Sequence, residues 1–231
     1  WNNVFMQYMH NEDGTFTELP KKNVDTGMGL ERITAVLEGV TDNYASSIWT
    51  DVIAKIEEIS GLPYKGNEKA MRIIADHIRS AAFVSADPAG IKPSNTDQGY
   101  ILRRLIRRAI RYAKKLNIDI NSNWEEEIAI TIMNKYEKYY TEIKENRNVV
   151  LEVLKNEKIK FNRTLEKGLK EFEKIASKIQ DGKMDKDNAF RLYDTFGFPI
   201  ELTVELAGEK GIKVDVEGYQ KAFKEHQDRS P

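Results

Sequence analysis

Residues 25–32 read Asp25-Thr26-Gly27-Met28-Gly29-Leu30-Glu31-Arg32. Two glycines one residue apart let a backbone approach a ligand closely and open dihedrals barred to other residues. An acid stands two positions before the first glycine. An arginine closes the run at the mouth of an apolar-periodic stretch, Leu30 to Val40, whose spacing predicts a helix. A carboxylate holds an ammonium, glycines admit a flat or phosphorylated body, and a guanidinium grips phosphate. Together they suit an amino acid and a nucleotide held side by side. The same residues also fit a plain strand-to-helix turn with Glu31 and Arg32 as solvated first-turn charges, and a motif this short does not separate the two readings.

Working outward, residues 1–10 alternate loosely and are rich in aromatic and branched side chains, which predicts a strand. Asn11-Glu12-Asp13-Gly14 is a turn, Thr15 to Leu19 returns antiparallel, Pro20 to Asn23 is a loop, and Val24 to Gly27 is one more short strand. Everything after the first helix reads as helical, over about 46–60, 67–87, 99–117, 124–147, 149–180, 187–195, 200–210 and 215–227. Pro88 and Pro93 impose a loop between 87 and 99, Asp181-Gly182 breaks the longest helix, and Phe198-Pro199 turns the chain. The expected class is α+β, mostly α, divided into residues 1–45 and 46–231.

Composition excludes several functions. The 36 basic and 37 acidic residues nearly cancel, so any nucleic-acid surface must come from local segregation of charge. There is no cysteine, hence no disulfide framework and no thiolate metal site, which fits a cytoplasmic protein. The histidines, His10, His77 and His226, are far apart and show no ligand spacing. No apolar run approaches the roughly 18 residues of a membrane span, and no signal-peptide pattern is present. The chain opens at Trp1 inside an apolar segment and ends in the polar stretch Lys224 to Pro231. That reads as an internal fragment of a longer protein.

Charge does segregate between Leu102 and Leu116. Arg103, Arg104, Arg107, Arg108, Arg111, Lys114 and Lys115 occur there with no acid among them. Leu102, Leu105, Ile106, Ala109, Ile110 and Ala113 form one apolar stripe, so the rest of the helix surface is cationic. Like charges at i,i+4 repel by a few tenths of a kcal/mol per pair. Three explanations compete: acids from neighbouring helices neutralise the arginines, the helix lies on a membrane surface, or it binds a phosphate backbone. The apolar stripe is needed for the core, which disfavours the membrane, and forked arginine contacts favour phosphate. Asn95 lies in the loop feeding this helix, and its amide could read a base edge or stabilise a turn. Asp194 ends a short helix where the dipole favours cations, so it calls for a specific partner, an amino group of a base or a neighbouring arginine. Asp76-His77-Ile78-Arg79 is a polar cluster on one helical turn. The mixed Glu/Lys pattern of 149–180 is a solvated, salt-bridged face.

Taken together, these segments resemble a known family. Asp25 to Arg32 is similar to the third signature motif of class II aminoacyl-tRNA synthetases. Trp1-Asn2-Asn3-Val4-Phe5-Met6-Gln7 with Val24-Asp25-Thr26-Gly27 resembles the alanyl-tRNA synthetases specifically. So do Ile74-Ala75-Asp76-His77-Ile78-Arg79, Gly99-Tyr100-Ile101-Leu102-Arg103-Arg104 and Arg191-Leu192-Tyr193-Asp194-Thr195-Phe196-Gly197-Phe198-Pro199. The segments run in the family's order across essentially the whole chain.

The resemblance implies ATP- and Mg²⁺-dependent activation of alanine and its transfer to tRNA(Ala). It implies that 1–45 is the end of an antiparallel aminoacylation core and 46–231 a helical tRNA-recognition domain. Asn2, Val4, Asp25 and Gly27 match the family's alanine pocket. Asp25 would pair with the substrate ammonium, Asn2 would hydrogen-bond the amino acid and Val4 would crowd its methyl. Gly29 and Arg32 match the ATP site, with Asp25 and Arg32 as the catalytic pair. Asn95 and Asp194 match the two side chains that read a G·U wobble pair in the acceptor stem, while Arg103, Arg104, Arg107 and Arg108 would hold phosphates. Motifs one and two, the editing domain with its zinc ligands, and the oligomerisation tail have no counterpart here, so the fragment is expected to be inactive alone. The competing reading is a stand-alone helical RNA-binding module without catalysis.

Overall fold

The computed structural model describes the backbone of residues 2–229 and the side chains of residues 2–225. Trp1 and the side chain of His226, both named above, lie outside the described residues. The chain forms two compact units, residues 1–53 and 54–231.

The first unit begins with a hairpin of β1 (Asn2–His10) and β2 (Phe16–Gly27). Gly14 takes φ +80° in the turn. The Asp13 carboxylate accepts from the Thr15 backbone N–H at 3.0 Å and from its hydroxyl at 2.6 Å. β2 is one strand rather than two strands around a loop. The loop expected at Pro20 to Asn23 survives as a bulge, because pairing runs from Met6↔Asn23 directly to Tyr8↔Glu18. Pro20 has no N–H to give a ladder, so the extra residues are extruded there without breaking the strand. Helix α1 (Leu30–Glu38) follows and ends at Gly39, φ +71°, whose N–H returns to the carbonyls of Ala35 and Val36. A single 3-10 turn spans Asn43–Ala45, with the Asp42 side chain accepting from Tyr44 N at 2.9 Å.

In the second unit, α2 (Thr50–Ser60, which begins in the first) leads to α3 (Glu68–Ala86) and α4 (Asp97–Lys115). The α3–α4 pair is the most extensive helix contact among the described residues. Ala75, Ala81 and Ala82 of α3 and Ala109 and Ala113 of α4 are fully buried, and these small side chains let the two backbones approach closely. Met71, Ile74 and Ile78 with Leu102, Ile106 and Ile110 fill the space around them. Each such burial contributes about 1.5–3 kcal/mol.

The helix expected over 124–147 is two, α5 (Trp124–Tyr136) and α6 (Thr141–Glu145). The turn between them lets Phe83 meet both Tyr136 and Tyr140 edge-on, at 5.2 and 5.1 Å. α7 (Arg147–Ala176) is the longest element, followed by α8 (Lys186–Phe196), α9 (Ile200–Glu209) and α10 (Val216–Arg229). Strands β3 (Lys183–Met184) and β4 (Lys213–Val214) pair in parallel before α8 and after α9. Two residues per strand carry no readable period, so these strands leave no mark in the sequence pattern.

Candidate functional site

The hairpin register decides which residues of the opening stretch can act together. Asn2 pairs with Gly27 and Val4 with Asp25. Directly opposed residues of an antiparallel pair share a face, and alternate residues along each strand share it too. Asn2, Val4, Asp25 and Gly27 therefore lie on one face. Asn3 and Thr26 occupy the other, joined by a 3.0 Å bond from the Thr26 hydroxyl to Asn3 Oδ1. Asp25 is exposed and makes no hydrogen bond or ion pair among the described residues, and the same holds for Arg32.

Where the strand passes into α1, a groove of about 590 Å³ is lined by Asn2, Gly27, Met28, Gly29, Arg32, Ile33 and Val36. Gly29 stands at the helix N-cap with φ −76° and ψ 121°. Neither Gly27 nor Gly29 takes a positive φ, which corrects the expectation that these glycines supply unusual dihedrals. Their contribution is space. A Cβ on Gly27 would meet nothing within 4 Å, and one on Gly29 would touch only the Arg32 side chain at 3.5 Å. The Arg32 stem thus folds back over Gly29, the direction long helical side chains favour. Bare backbone and a free guanidinium thus share this groove, and Asn2 and Gly27 at its rim stand on the strand face that also bears the open Asp25 carboxylate.

In the second unit the cationic helix is not a free stripe. Glu157 of α7 accepts from Arg107 Nε at 2.6 Å, and its Oε1 lies 2.6 Å from Nη2 in the same ion pair. Glu201 of α9 receives Arg104 at 2.7 Å. Glu205 receives Arg108 through Nε and Nη2 at 3.1 and 3.0 Å, together with the Tyr112 hydroxyl. Arg111 and Lys115 reach Glu209 at 2.8 and 3.1 Å, and Lys114 reaches Glu166 at 3.0 Å. Neighbouring acids neutralise the arginines, the explanation the sequence analysis disfavours. The Arg107 side chain is only 12% exposed, whereas Arg104 and Arg108 keep about a third of theirs. The long helix is likewise not wholly solvated. Glu157 and Lys158 are buried, and Lys158 grips Glu125 at 2.6 Å.

This packing sets the titration of the cluster. Burial alone would raise the Glu205 carboxyl, but the bonds from Arg108 and Tyr112 and the Arg111 charge outweigh it and bring it to about 2. Burial pushes the Arg107 guanidinium down from its usual value, and the Glu157 carboxylate opposes that. Burial raises Glu125, again with Lys158 opposing. His77 is largely buried between Asp76 and Arg108, 3.0 Å from each, so the Asp76-His77 cluster belongs to this network.

Asn95 and Asp194 are both exposed. The loop bearing Asn95 folds back onto the first turn of α4. Ser94 N bonds Gly99 O at 3.0 Å, and a Cβ on Gly99 would collide with Ser94 Oγ and Lys92 O at 2.3 and 2.4 Å. Arg103 Nη1 donates to Asn95 Oδ1, and Nη2 donates to Pro93 O at 3.3 Å. Asp194 sits in the last turn of α8, which Gly197 ends at φ +69° with Gly197 N and Phe198 N bonding the carbonyls of Tyr193 and Leu192. Side chains take two further carbonyls there: Thr164 holds Phe196 O at 2.8 Å, and Arg107 Nη1 donates to Gly197 O just beyond the helix. Arg107 is thus the cation the helix dipole favours at that end.

Among the described residues, no three histidine, aspartate or glutamate side chains converge as a metal-binding group, and no helix is long and apolar enough to cross a membrane.

Comparison with known proteins agrees over the full length. The family described as tRNA synthetases class II (A) matches residues 1–231. A protein of Treponema denticola named alanine–tRNA ligase is 49% identical over 240 residues, which cover 100% of this chain and 39% of that protein. The alanine–tRNA ligase of Borreliella afzelii is 46% identical over 233 residues, with 100% and 39% covered. That of Thermotoga maritima is 42% identical over 233 residues, with 100% and 26% covered. The chain therefore spans between about a quarter and two fifths of the length of these relatives.

Proposed function

Because the chain belongs to the class II tRNA synthetase (A) family, we propose that it is the part of an alanine–tRNA ligase that closes the alanine pocket and presents the tRNA acceptor stem. The observation that carries this reading is the hairpin register, which gathers Asn2, Val4, Asp25 and Gly27 on one face. Asp25 pairs with the substrate ammonium and Asn2 hydrogen-bonds the amino acid. Val4 limits the side chain, a selection of about 1–3 kcal/mol per methylene. Arg32, beside the open backbone of Gly29, takes the adenine and the ATP phosphates and stabilises charge on the leaving pyrophosphate. In this family Mg²⁺ accompanies ATP. Without motifs one and two, the 231-residue polypeptide by itself forms no alanyl-adenylate, and alanine-dependent pyrophosphate exchange by it would contradict that.

In the second unit, Asn95 and Asp194 read the minor groove of the acceptor stem, where a G·U pair leaves the guanine amino group unpaired. Arg104 and Arg108, with a third of their side chains exposed, remain the phosphate contacts of the basic helix. The test compares RNA hairpins that differ only in a G·U or G·C pair. Asn95→Ala and Asp194→Ala lower the preference for G·U, whereas Arg104→Ala weakens both and flattens the salt dependence. Equal losses on both hairpins for all three variants would refute the division of labour. A helical RNA-binding module without catalysis would show the same RNA behaviour but no affinity for alanine or its adenylate.

A further inference from the structure

Asn95 and the turn after Asp194 stand on different elements, yet one buried group connects them. Glu157 is 2% exposed and projects from α7 between Arg103 and Arg107. Toward one side its Oε1 lies 3.5 Å from Arg103 Nε, a charge contact rather than a hydrogen bond. Arg103 then donates to the side-chain oxygen Oδ1 of Asn95 and to the backbone carbonyl of Pro93. Toward the other side Glu157 holds Arg107, which donates to Gly197 O at the end of the helix carrying Asp194. A guanidinium only donates, so Asn95 turns its oxygen to Arg103 and offers its Nδ2 donors to minor-groove acceptors, which leaves the unpaired guanine amino group, a donor, to the Asp194 carboxylate.

The surroundings fix Arg107. Arg107 lies over the Phe161 ring at 5.0 Å, and Phe161 packs edge-on against Phe198, the residue after Gly197. A Cβ on Gly197 would stand 2.4 Å from Arg107 Nη1, so only glycine admits this approach at that φ. Two guanidiniums this close repel, and without a carboxylate between them neither would stay buried.

We propose that Glu157 is a positioning residue for RNA recognition: its single carboxylate, acting through Arg103 and Arg107, holds the Asn95 amide and the Asp194-bearing helix end in one fixed arrangement. This rests on the reading of Asn95 and Asp194 as acceptor-stem readers. It also moves Arg103 and Arg107 from phosphate binding to support behind the readers.

The experiment uses the full 231-residue chain and two readouts. The first is the ¹⁵N relaxation of the Asn95 side-chain amide in the free protein, assigned by its loss in Asn95→Asp. The second is the G·U over G·C preference on the paired RNA hairpins. In Glu157→Gln the Asn95 amide becomes mobile and the preference falls at least fivefold, and in an Asn95→Ala background the same change costs less, because only the hold on the Asp194-bearing helix end is left to lose. Should Glu157→Gln fail to fold, Arg103→Lys, which keeps the charge but loses the fork, shows the same loosening. An Asn95 amide that stays restrained in the folded variants overturns the proposal. If the amide loosens but neither the unmodified chain nor Asn95→Ala distinguishes the hairpins, the clamp stands and the recognition reading falls.

Discussion

Glu205 is the hub of the α4–α9 interface, and replacing it with glutamine gives a quantitative test of how the cationic helix is held. Its carboxyl falls from an ordinary 4.5 to about 2 in the fold, because bonds from Arg108 and Tyr112 and the charge of Arg111 outweigh burial. The side chain is 14% exposed, so solvent screens these bonds little. A depressed carboxylate stabilises the fold at pH values above its unfolded pKa and loses that contribution as pH falls through the folded one. The drop of about 2.5 pH units, at about 1.4 kcal/mol each, corresponds to about 3 kcal/mol at pH 7. By pH 3 linkage leaves about 1 kcal/mol of it. Urea unfolding of the parent chain and Glu205→Gln at pH 7, 5, 4 and 3 should show a stability gap that is flat down to about pH 5 and then narrows. A gap below 1 kcal/mol at pH 7, or one independent of pH, would refute the assignment of Glu205 as the ionised anchor of this interface.

Two further substitutions probe the same unit. Gly197→Ala forces a left-handed φ on an L-residue and drives a methyl into Arg107 Nη1, so it should cost about 2 kcal/mol or more in urea unfolding. An unchanged midpoint would mean that the turn does not need glycine. Lys158→Met leaves Glu125 buried without its cation and should cost about 3–5 kcal/mol at neutral pH. Because burial already raises the Glu125 carboxyl, that penalty should shrink on acidification as the group takes up a proton. A penalty that grows toward acid pH would contradict the pairing.

The hairpin and its face were legible because strands have a period of two and the turn at Asn11 to Gly14 fixes where they reverse. The pairing of Asn2 with Gly27 and of Val4 with Asp25 needed only one extra fact, that the residues around Pro20 are extruded as a bulge. The core faces of α3 and α4 likewise follow from helical spacing. The pairing of the basic helix was harder to read, because its neutralising acids lie about fifty to a hundred residues downstream. A signal was present. Glu201, Glu205 and Glu209 repeat every four residues on α9, in step with Arg104, Arg108 and Arg111 on α4. Glu157 carried no such signal, since along α7 it is one glutamate among many of both signs. Only packing distinguishes it, by placing it between two arginines. The paired turn α5–α6 and the two-residue strands were invisible for the same reason: tertiary contacts create them, and local propensity does not.

The central claim is that the face of the hairpin bearing Asp25 binds alanine beside a nucleotide. It is tested most directly by calorimetric titration of the chain with a non-hydrolysable alanyl-adenylate mimic, alanyl-sulfamoyl-adenosine. The account predicts saturable binding that Asp25→Asn weakens at least tenfold, while Thr26→Val, on the opposite face, leaves it within twofold. Equal effects of the two substitutions, or no binding that depends on Asp25, would contradict it.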